Sequence, residues 1–527
     1  MGNTKRKHSP HSAARRTGHR ITYIKEYTME LNTALQKLKE YEKRSFALYH
    51  ASGLIYYDGA TTAPKGSAGV RAITLGELSR ISYEHTTAKE SIEMLECLMA
   101  HSDELDPVTR RKASELYRDY ERTHRVPIEE FVAHQQLCSE ADSVWHEAKV
   151  KDDFSMFEPY LQKMFDSTKR MALYMEPDKR PYDTMLDNFE RGLTASACDA
   201  FFDTLKKRLV PLMHKVVEHG DRVNDAPLRQ SFPIAKQKEL SSYLMDVMGI
   251  DRDHCILGET EHPFTTDFSK YDVRITTHYY ENNFAASLYS VIHEGGHALY
   301  ELHTGDELAC SNLGRGASMA MHESQSRFYE NIIGRSWEFC SLIFPFVKKE
   351  FSPLLDGVSG EEFYRMINKS SPSLIRLEAD ELTYCLHIMI RYQLERAMID
   401  GSITAHDLPH EWNRLYKEYL GVDVPSDKLG VLQDSHWANG NIGYFPSYAI
   451  GSAYGAQYYK EMNRDFDVKA ALSAGELCKI NRWMEDKIWK YGCMKDPMAL
   501  FESVCGKFDP TCYADYLENK YSEIYDL

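Results

Sequence analysis

His293-Glu294-Gly295-Gly296-His297 is the run in this chain whose residue types and spacing point most directly to a reaction. Around it, over residues 287–301, Leu288, Val291, Ile292, Ala298 and Leu299 recur at near-helical intervals, which predicts a buried helix. Residues four apart on a helix share one face, about one turn apart, so the two imidazoles can grip a single metal ion. Glu294 projects beside them and can take a proton from a water that such an ion activates. Each glycine in a helix interior costs about 1 kcal/mol relative to alanine. A helix that keeps Gly295 and Gly296 together implies close approach there, by substrate or by a neighbouring element.

A third ligand is available downstream in His322-Glu323-Ser324-Gln325-Ser326, itself inside a helical pattern. The intervening stretch is long enough for one connection and a second helix, which could present Glu323 to the histidine pair. Two histidines and one carboxylate leave a fourth position open to water, the arrangement of a catalytic zinc. Glu301 is a rival ligand, but on the same helix it points away from the face that His293 and His297 share. Imidazole and carboxylate donors suit several ions, so we expect one divalent metal per subunit, zinc first and cobalt as the alternative.

The elements that must position these residues are mostly helices. Leu31, Leu35, Leu38 and Tyr41 form one stripe. Residues 70–100, 107–124, 195–220, 234–248, 318–335, 374–400, 408–420 and 474–490 carry further helical patterns. The best strand signal is the alternation in Tyr271-Asp272-Val273-Arg274-Ile275-Thr276-Thr277. The reading is a mainly helical, all-α type fold with one small β-sheet near the active site. No linker divides 29–527, so we expect one large domain preceded by a separate tail, 1–28. That tail holds Lys5, Arg6, Lys7, Arg15, Arg16, Arg20 and Lys25 against the single acid Glu26. It lacks the apolar face of a transit segment, and a disordered extension is the simpler reading.

Of the 527 residues, 43% are hydrophobic and 27% charged, with a net charge of −16. That fits a globular protein with a substantial core and argues against a general nucleic-acid binder, which needs a basic face. No apolar run is long enough to span a membrane. The 11 cysteines are scattered, without a C-x-x-C pair, which suits free thiols in a reducing compartment, the cytoplasm being the expected one.

Six stretches, in order, resemble the Taq-type metallocarboxypeptidase family. They are His262-Pro263-Phe264, Asp272-Val-Arg274-Ile-Thr276, His293-Glu294-Gly-Gly-His297, His322-Glu323-Ser324, Ile375-Arg376-Leu-Glu-Ala379-Asp380, and Gly430-Val-Leu-Gln433-Asp434-Ser-His436-Trp437. The resemblance runs from about residue 30 to the end. It implies a helical fold with a deep central cleft, a homodimer, one divalent metal, and removal of single residues from peptide C-termini. It also implies roles: His293, His297 and Glu323 as metal ligands, and Glu294 as general base and later proton donor. Arg376 and Tyr448 would hold the terminal carboxylate, His262 and His436 would steady carbonyls or the tetrahedral intermediate, and Arg274 would contact substrate. Tyr448 comes from the softer match Gly443-Tyr-Phe-Pro446-Ser-Tyr448, in which Tyr444 is an alternative.

Elementary chemistry asks for similar parts. A hydrolase that works at a chain end must recognise a carboxylate, and arginine offers a planar fork that fits one. Arg376 lies among Leu374, Ile375, Leu377 and Ala379, so it should be partly buried and need a partner; a structural ion pair with Glu378 or Asp380 is the competing account. Trp437 is expected in the core or cleft wall, and His278 in a structural role. Competing functions are another H-E-x-x-H peptidase (aminopeptidase, endopeptidase or dipeptidase) and a non-catalytic helical scaffold with a structural metal.

Overall fold

Four helices open the chain described by the computed structural model, which covers residues 29–527. The basic tail, 1–28, lies outside the described residues. Helices Leu31–Thr61, Lys89–Ala100 and Pro107–His124 bury Ala34, Leu38, Leu95, Leu98 and Ala113 in a small apolar cluster of their own. Helix Ala68–Thr87 covers them without burying any residue fully. The first helix reaches the sheet, where the Tyr49 hydroxyl donates to the Asp267 carbonyl at 2.8 Å. The remaining helices enclose one continuous core that runs from Ala141 to Tyr525.

Local sequence explains many boundaries. Asp106 accepts from the amides of Val108 and Thr109 ahead of Pro107. Asn283 accepts from Ala286 to start helix Phe284–Leu302, and Ser318 accepts from Met321 to start helix Met319–Arg327. These caps satisfy amides that a first turn leaves free. The pattern over 318–335 is helical but not uniform: after Arg327 the chain widens into a π-turn, Phe328–Ile333.

The sheet has three strands, β1 (Cys255–Glu259), β2 (Thr265–Ser269) and β3 (Asp272–Thr277), in the order β1-β3-β2. Only β3 was legible in the sequence. β1 runs parallel to it with Leu257 opposite Ile275, and β2 antiparallel with Thr265 opposite Ile275. Val273 and Ile275 are fully buried. The polar β2, Thr-Thr-Asp-Phe-Ser, carries no apolar alternation that would announce a strand.

The helix expected over 374–400 is broken. Arg376–Glu378 is a 3-10 turn, Ala379 is extended, and the α-helix is Glu381–Asp400. Asp380 is the reason: its carboxylate accepts from the amides of Leu382 and Thr383, and also from Ser370 and Ser371, so it starts the helix instead of continuing one. Likewise the pattern over 474–490 resolves into helix Leu477–Lys487 and a short turn, Trp489–Tyr491. Among the described residues no helix is long and apolar enough to cross a membrane, and all eleven cysteines are unpaired.

The two glycines of the histidine helix have a packing reason. A Cβ on Gly296 would stand 2.7 Å from the Gln325 carbonyl oxygen and 2.8 Å from the Ser326 Cα. A Cβ on Gly295 would meet Met248 Cε at 2.8 Å. Of the two accounts the sequence left open, the neighbouring element is the one observed. Gly296→Ala should therefore lower the thermal midpoint, because overpacking of this kind costs about 1–3 kcal/mol. Gly76→Ala, at an exposed helical position with open space around it, should raise it slightly through the roughly 1 kcal/mol helix preference of alanine. Calorimetry of the two variants checks the contrast; shifts of the same sign would remove backbone approach as the reason for Gly296.

Candidate active site

His293 and His297 stand one turn apart on Phe284–Leu302, which packs against β3 on one side and against Met319–Arg327 on the other. Their Nε2 atoms lie 3.9 and 3.6 Å from Glu323 Oε2. One ligand atom from each of the three residues falls within 4.8 Å of the others. Glu323 comes this close because both helices beside it present glycine. Gly296 is one, and Gly451 on helix Phe445–Asp465, where a Cβ would meet Glu323 Cβ at 2.9 Å, is the other.

The opposite ring nitrogens are also occupied. His293 Nδ1 is 2.8 Å from Glu330 Oε2 on the π-turn. His297 Nδ1 is 2.6 Å from His322 Nδ1, whose Nε2 is 2.6 Å from Glu301 Oε1. One tautomeric pattern satisfies every pair. With the proton of both imidazoles placed on Nδ1, His322 accepts from His297 and donates from Nε2 to the Glu301 carboxylate. Glu301, the rival ligand, is thus a support behind His322. The Nε2 lone pairs of His293 and His297 remain directed at Glu323.

The charges are arranged to match. Burial works against an ionised Glu323, but the adjacent Arg327 and the two histidines hold its carboxyl well below the ordinary range. Arg327 donates from Nε to Glu323 Oε1 at 2.6 Å and from Nη1 to Glu330 at 3.1 Å, and Glu323 Oε2, which also accepts from the Ser326 hydroxyl at 3.2 Å, lies toward the histidines. Burial, helped by the charges of His322 and His293, pulls His297 down to about 3 despite the Glu323 carboxylate. Burial also opposes a proton on His293, yet Glu330 and Glu323 outweigh it and raise that pKa. Glu294 is buried, which pushes its carboxyl up, and its Oε2 accepts from Thr265 Oγ1 of β2 at 2.6 Å.

The family model described as Carboxypeptidase Taq (M32) metallopeptidase matches residues 37–521. The chain belongs to this family. It is a metallocarboxypeptidase, a peptide hydrolase. Carboxypeptidase 1 of Bacillus subtilis (strain 168) is 40% identical over 504 residues, covering 95% of this chain and 100% of the relative. Thermostable carboxypeptidase 1 of Pyrococcus furiosus is 35% identical, covering 94% and 100%. Among solved structures, the M32 carboxypeptidase from Deinococcus radiodurans R1 is similar with a TM-score of 0.91 and 33% identity, over 94% of this chain and 100% of that one.

A metallopeptidase of this family implies a divalent ion, and the donor set of the metallocarboxypeptidase fits one. Two neutral-side imidazole nitrogens and one anionic oxygen converge, each fixed from behind by a hydrogen bond. Such outer contacts set ligand orientation and basicity.

A second group of expected residues gathers around Arg376, which is only 4% exposed. Its side chain does not pair with Glu378, which is exposed, or with Asp380, which caps the helix. Its partner is Asp434: Nε and Nη2 donate to Oδ1 at 3.0 and 2.8 Å. Nη1 reaches the Tyr384 hydroxyl at 3.3 Å. The Tyr448 ring lies 5.2 Å from the guanidinium, and its hydroxyl is 3.2 Å from His436 Nε2. Burial pulls His436 down to about 4, so it is neutral near pH 7. Burial, then Tyr444, raises the Tyr448 phenol, and Glu323 contributes to the same shift, so the two groups sense each other. Tyr444 stacks on His436 and turns its hydroxyl toward Met319 Sδ, 3.9 Å away.

Two expected residues stand apart. His262 is exposed on the connection between β1 and β2. Arg274 has its fork filled by Asp272, at 2.9 and 2.8 Å, and is flanked by the rings of Tyr57 and Phe268. Its Nε and Nη2 edge is thus engaged within the sheet. His278 is structural as expected, its Nδ1 2.8 Å from the Thr260 carbonyl, and Trp437 is core, donating to Glu395 at 2.8 Å.

Sequence reasoning missed Glu330, Arg327, the pairing of His322 with Glu301, Thr265 and Tyr384. Glu323, Arg327 and Glu330 stand at i, i+4 and i+7, a one-face spacing that would have flagged the first two. His322→Phe should keep the protein folded but weaken metal binding by roughly 10- to 100-fold, the usual cost of losing such a support. Competition with a chromophoric chelator measures it; wild-type affinity would mean that His297 needs no orienting partner.

Proposed function

We propose that this metallocarboxypeptidase removes single residues from the C-termini of peptides, with His293, His297 and Glu323 as metal ligands and Glu294 as general base. The observation that carries the reading is a three-donor cluster linked, through Arg327 and Tyr384, to the buried Arg376. A divalent ion at the cluster, zinc or alternatively cobalt, supplies Lewis acidity, polarising the scissile carbonyl and making water a better nucleophile near neutral pH.

The chain's own residues do the rest. Thr265 holds one oxygen of Glu294, leaving the other to accept the proton of the attacking water. Burial raises that carboxyl, which makes it a stronger base when ionised and lets it return the proton to the leaving amine. Arg376 and Tyr448 hold the terminal carboxylate, so that only the last peptide bond reaches the cluster. Tyr448 is preferred to Tyr444 because its hydroxyl meets His436 and its ring lies beside Arg376. His436, neutral, is suited to steady a carbonyl or a developing oxyanion without adding charge. His262 enters this reading only through its motif. Free cysteines throughout suit a cytoplasmic location, and a homodimer is carried by the family resemblance.

Mass spectrometry of a peptide incubated with the protein tests the reading. A ladder shortened only from the C-terminus, absent with a chelator and absent for the C-terminally amidated peptide, is expected; internal or N-terminal cleavage would overturn it. Glu294→Gln should bind the ion normally yet lose turnover by about 10²–10⁴-fold. Full turnover in that variant would end the general-base assignment.

A further inference from the structure

Asp434 stands between two buried arginines. Its Oδ1 takes Nε and Nη2 of Arg376, and its Oδ2 takes Nε of Arg391 at 2.6 Å. Arg391 is fully buried on helix Glu381–Asp400, where Nη1 also donates to the His387 carbonyl at 2.9 Å. Gln433, the residue before Asp434, accepts the backbone amide of Arg376 at 2.9 Å and so ties the two chain segments together. Two guanidiniums share one carboxylate, and neutral His436 adds no charge. Lys149 donates to the Gln433 carbonyl at 2.8 Å and adds a further positive charge nearby.

Two consequences follow. Among Arg376, Arg391 and Asp434 one positive charge is left over in a place where an unpaired charge is costly. Glu395, one turn along from Arg391, is taken up by Tyr182, Trp437 and the Gly443 amide, and a substrate anion would balance the remainder. The carboxylate-fitting edge of Arg376, Nε with Nη2, is already used by Asp434, so its Nη1 end is what remains. That end meets only the Tyr384 hydroxyl, at a loose 3.3 Å.

We propose that Asp434 is a positioning residue for the substrate carboxylate: it anchors one edge of Arg376 so that the Nη1 end faces the terminal carboxylate, and its sharing with Arg391 leaves the pocket cationic. This rests on the reading of Arg376 as the group that receives that carboxylate. Asp434 does not itself touch substrate, and its effect must pass through Arg376.

A double-mutant cycle tests this on the metal-loaded enzyme, with an N-acylated dipeptide bearing a free C-terminus, reading KM, kcat and thermal midpoint separately. Asp434→Asn should raise KM by about tenfold or more, with a smaller change in kcat, as expected when a binding group is displaced by about an ångström. In the Arg376→Ala background the same substitution should change KM by less than about twofold, since residues that act through one another are not additive. If Asp434→Asn does not fold, Asp434→Asn with Arg391→Met carries the test. It removes one charge of each sign and leaves Arg376 as the cluster's positive charge without its anchor, and the same rise in KM is expected.

Wild-type KM in the folded single or double variant, or an equal rise with and without Arg376, would overturn the proposal. If Arg376→Ala raises KM and the Asp434 variants do not, this inference fails alone. If Arg376→Ala leaves KM unchanged, the carboxylate assignment of Arg376 fails, and this inference with it.

Discussion

Keeping the Glu323 carboxylate ionised inside the protein is the constraint on which the rest of the site depends. A buried carboxylate without partners would take up a proton and lose its value as a ligand. Arg327 prevents this, donating to one oxygen at 2.6 Å while the other faces two imidazoles. The arrangement requires helix Met319–Arg327 to sit against two neighbours at backbone distance, which explains glycine at 296 and at 451. Packing and electrostatics are therefore one problem here: a methyl group at either position would push the carboxylate away from its partners.

Around that carboxylate the charges alternate. Glu330 and Glu323 flank Arg327, and Arg335 approaches Glu330 from beyond, 3.7 Å away. Tyr384 joins this network to the Arg376 cluster. Arg327 lies over its ring at 4.0 Å, and Arg376 donates to its hydroxyl. One aromatic side chain thus spaces the two cations, offering a π face to one and an oxygen to the other, where direct contact would set like charges together in a buried place.

Much of the site was legible because its chemistry is local. The H-E-x-x-H spacing needs only one helix, and Glu323 needs only a second helix at a sensible separation. The alternation over 272–277 likewise announced β3. What was not legible depends on contacts between distant parts of the chain. Arg376 looked as though it would pair with Glu378 or Asp380, its nearest acids, yet Asp434 holds it. Asp380 was unavailable because five donors already occupy it at the helix start. A window of sequence also could not reveal β2, whose residues are polar and whose strand form comes from pairing with β3.

The two histidine supports show how one segment can solve a geometric problem set by the other. Because His293 and His297 aim Nε2 the same way, their Nδ1 atoms point outward one turn apart, and each needs its own acceptor. Residues 319–333 meet both demands and also supply Glu323. His322 lies at the first turn, Glu323 beside it, and Glu330 on the π-turn. The π-turn is then no accident of the chain, since such widened turns tend to occur where a side chain must be re-aimed for function. The supports are unequal, however. His293 faces a carboxylate directly, whereas His297 faces a second imidazole backed by one. The first imidazole is therefore the more strongly polarised donor, and the difference is built into the helix register rather than into either histidine.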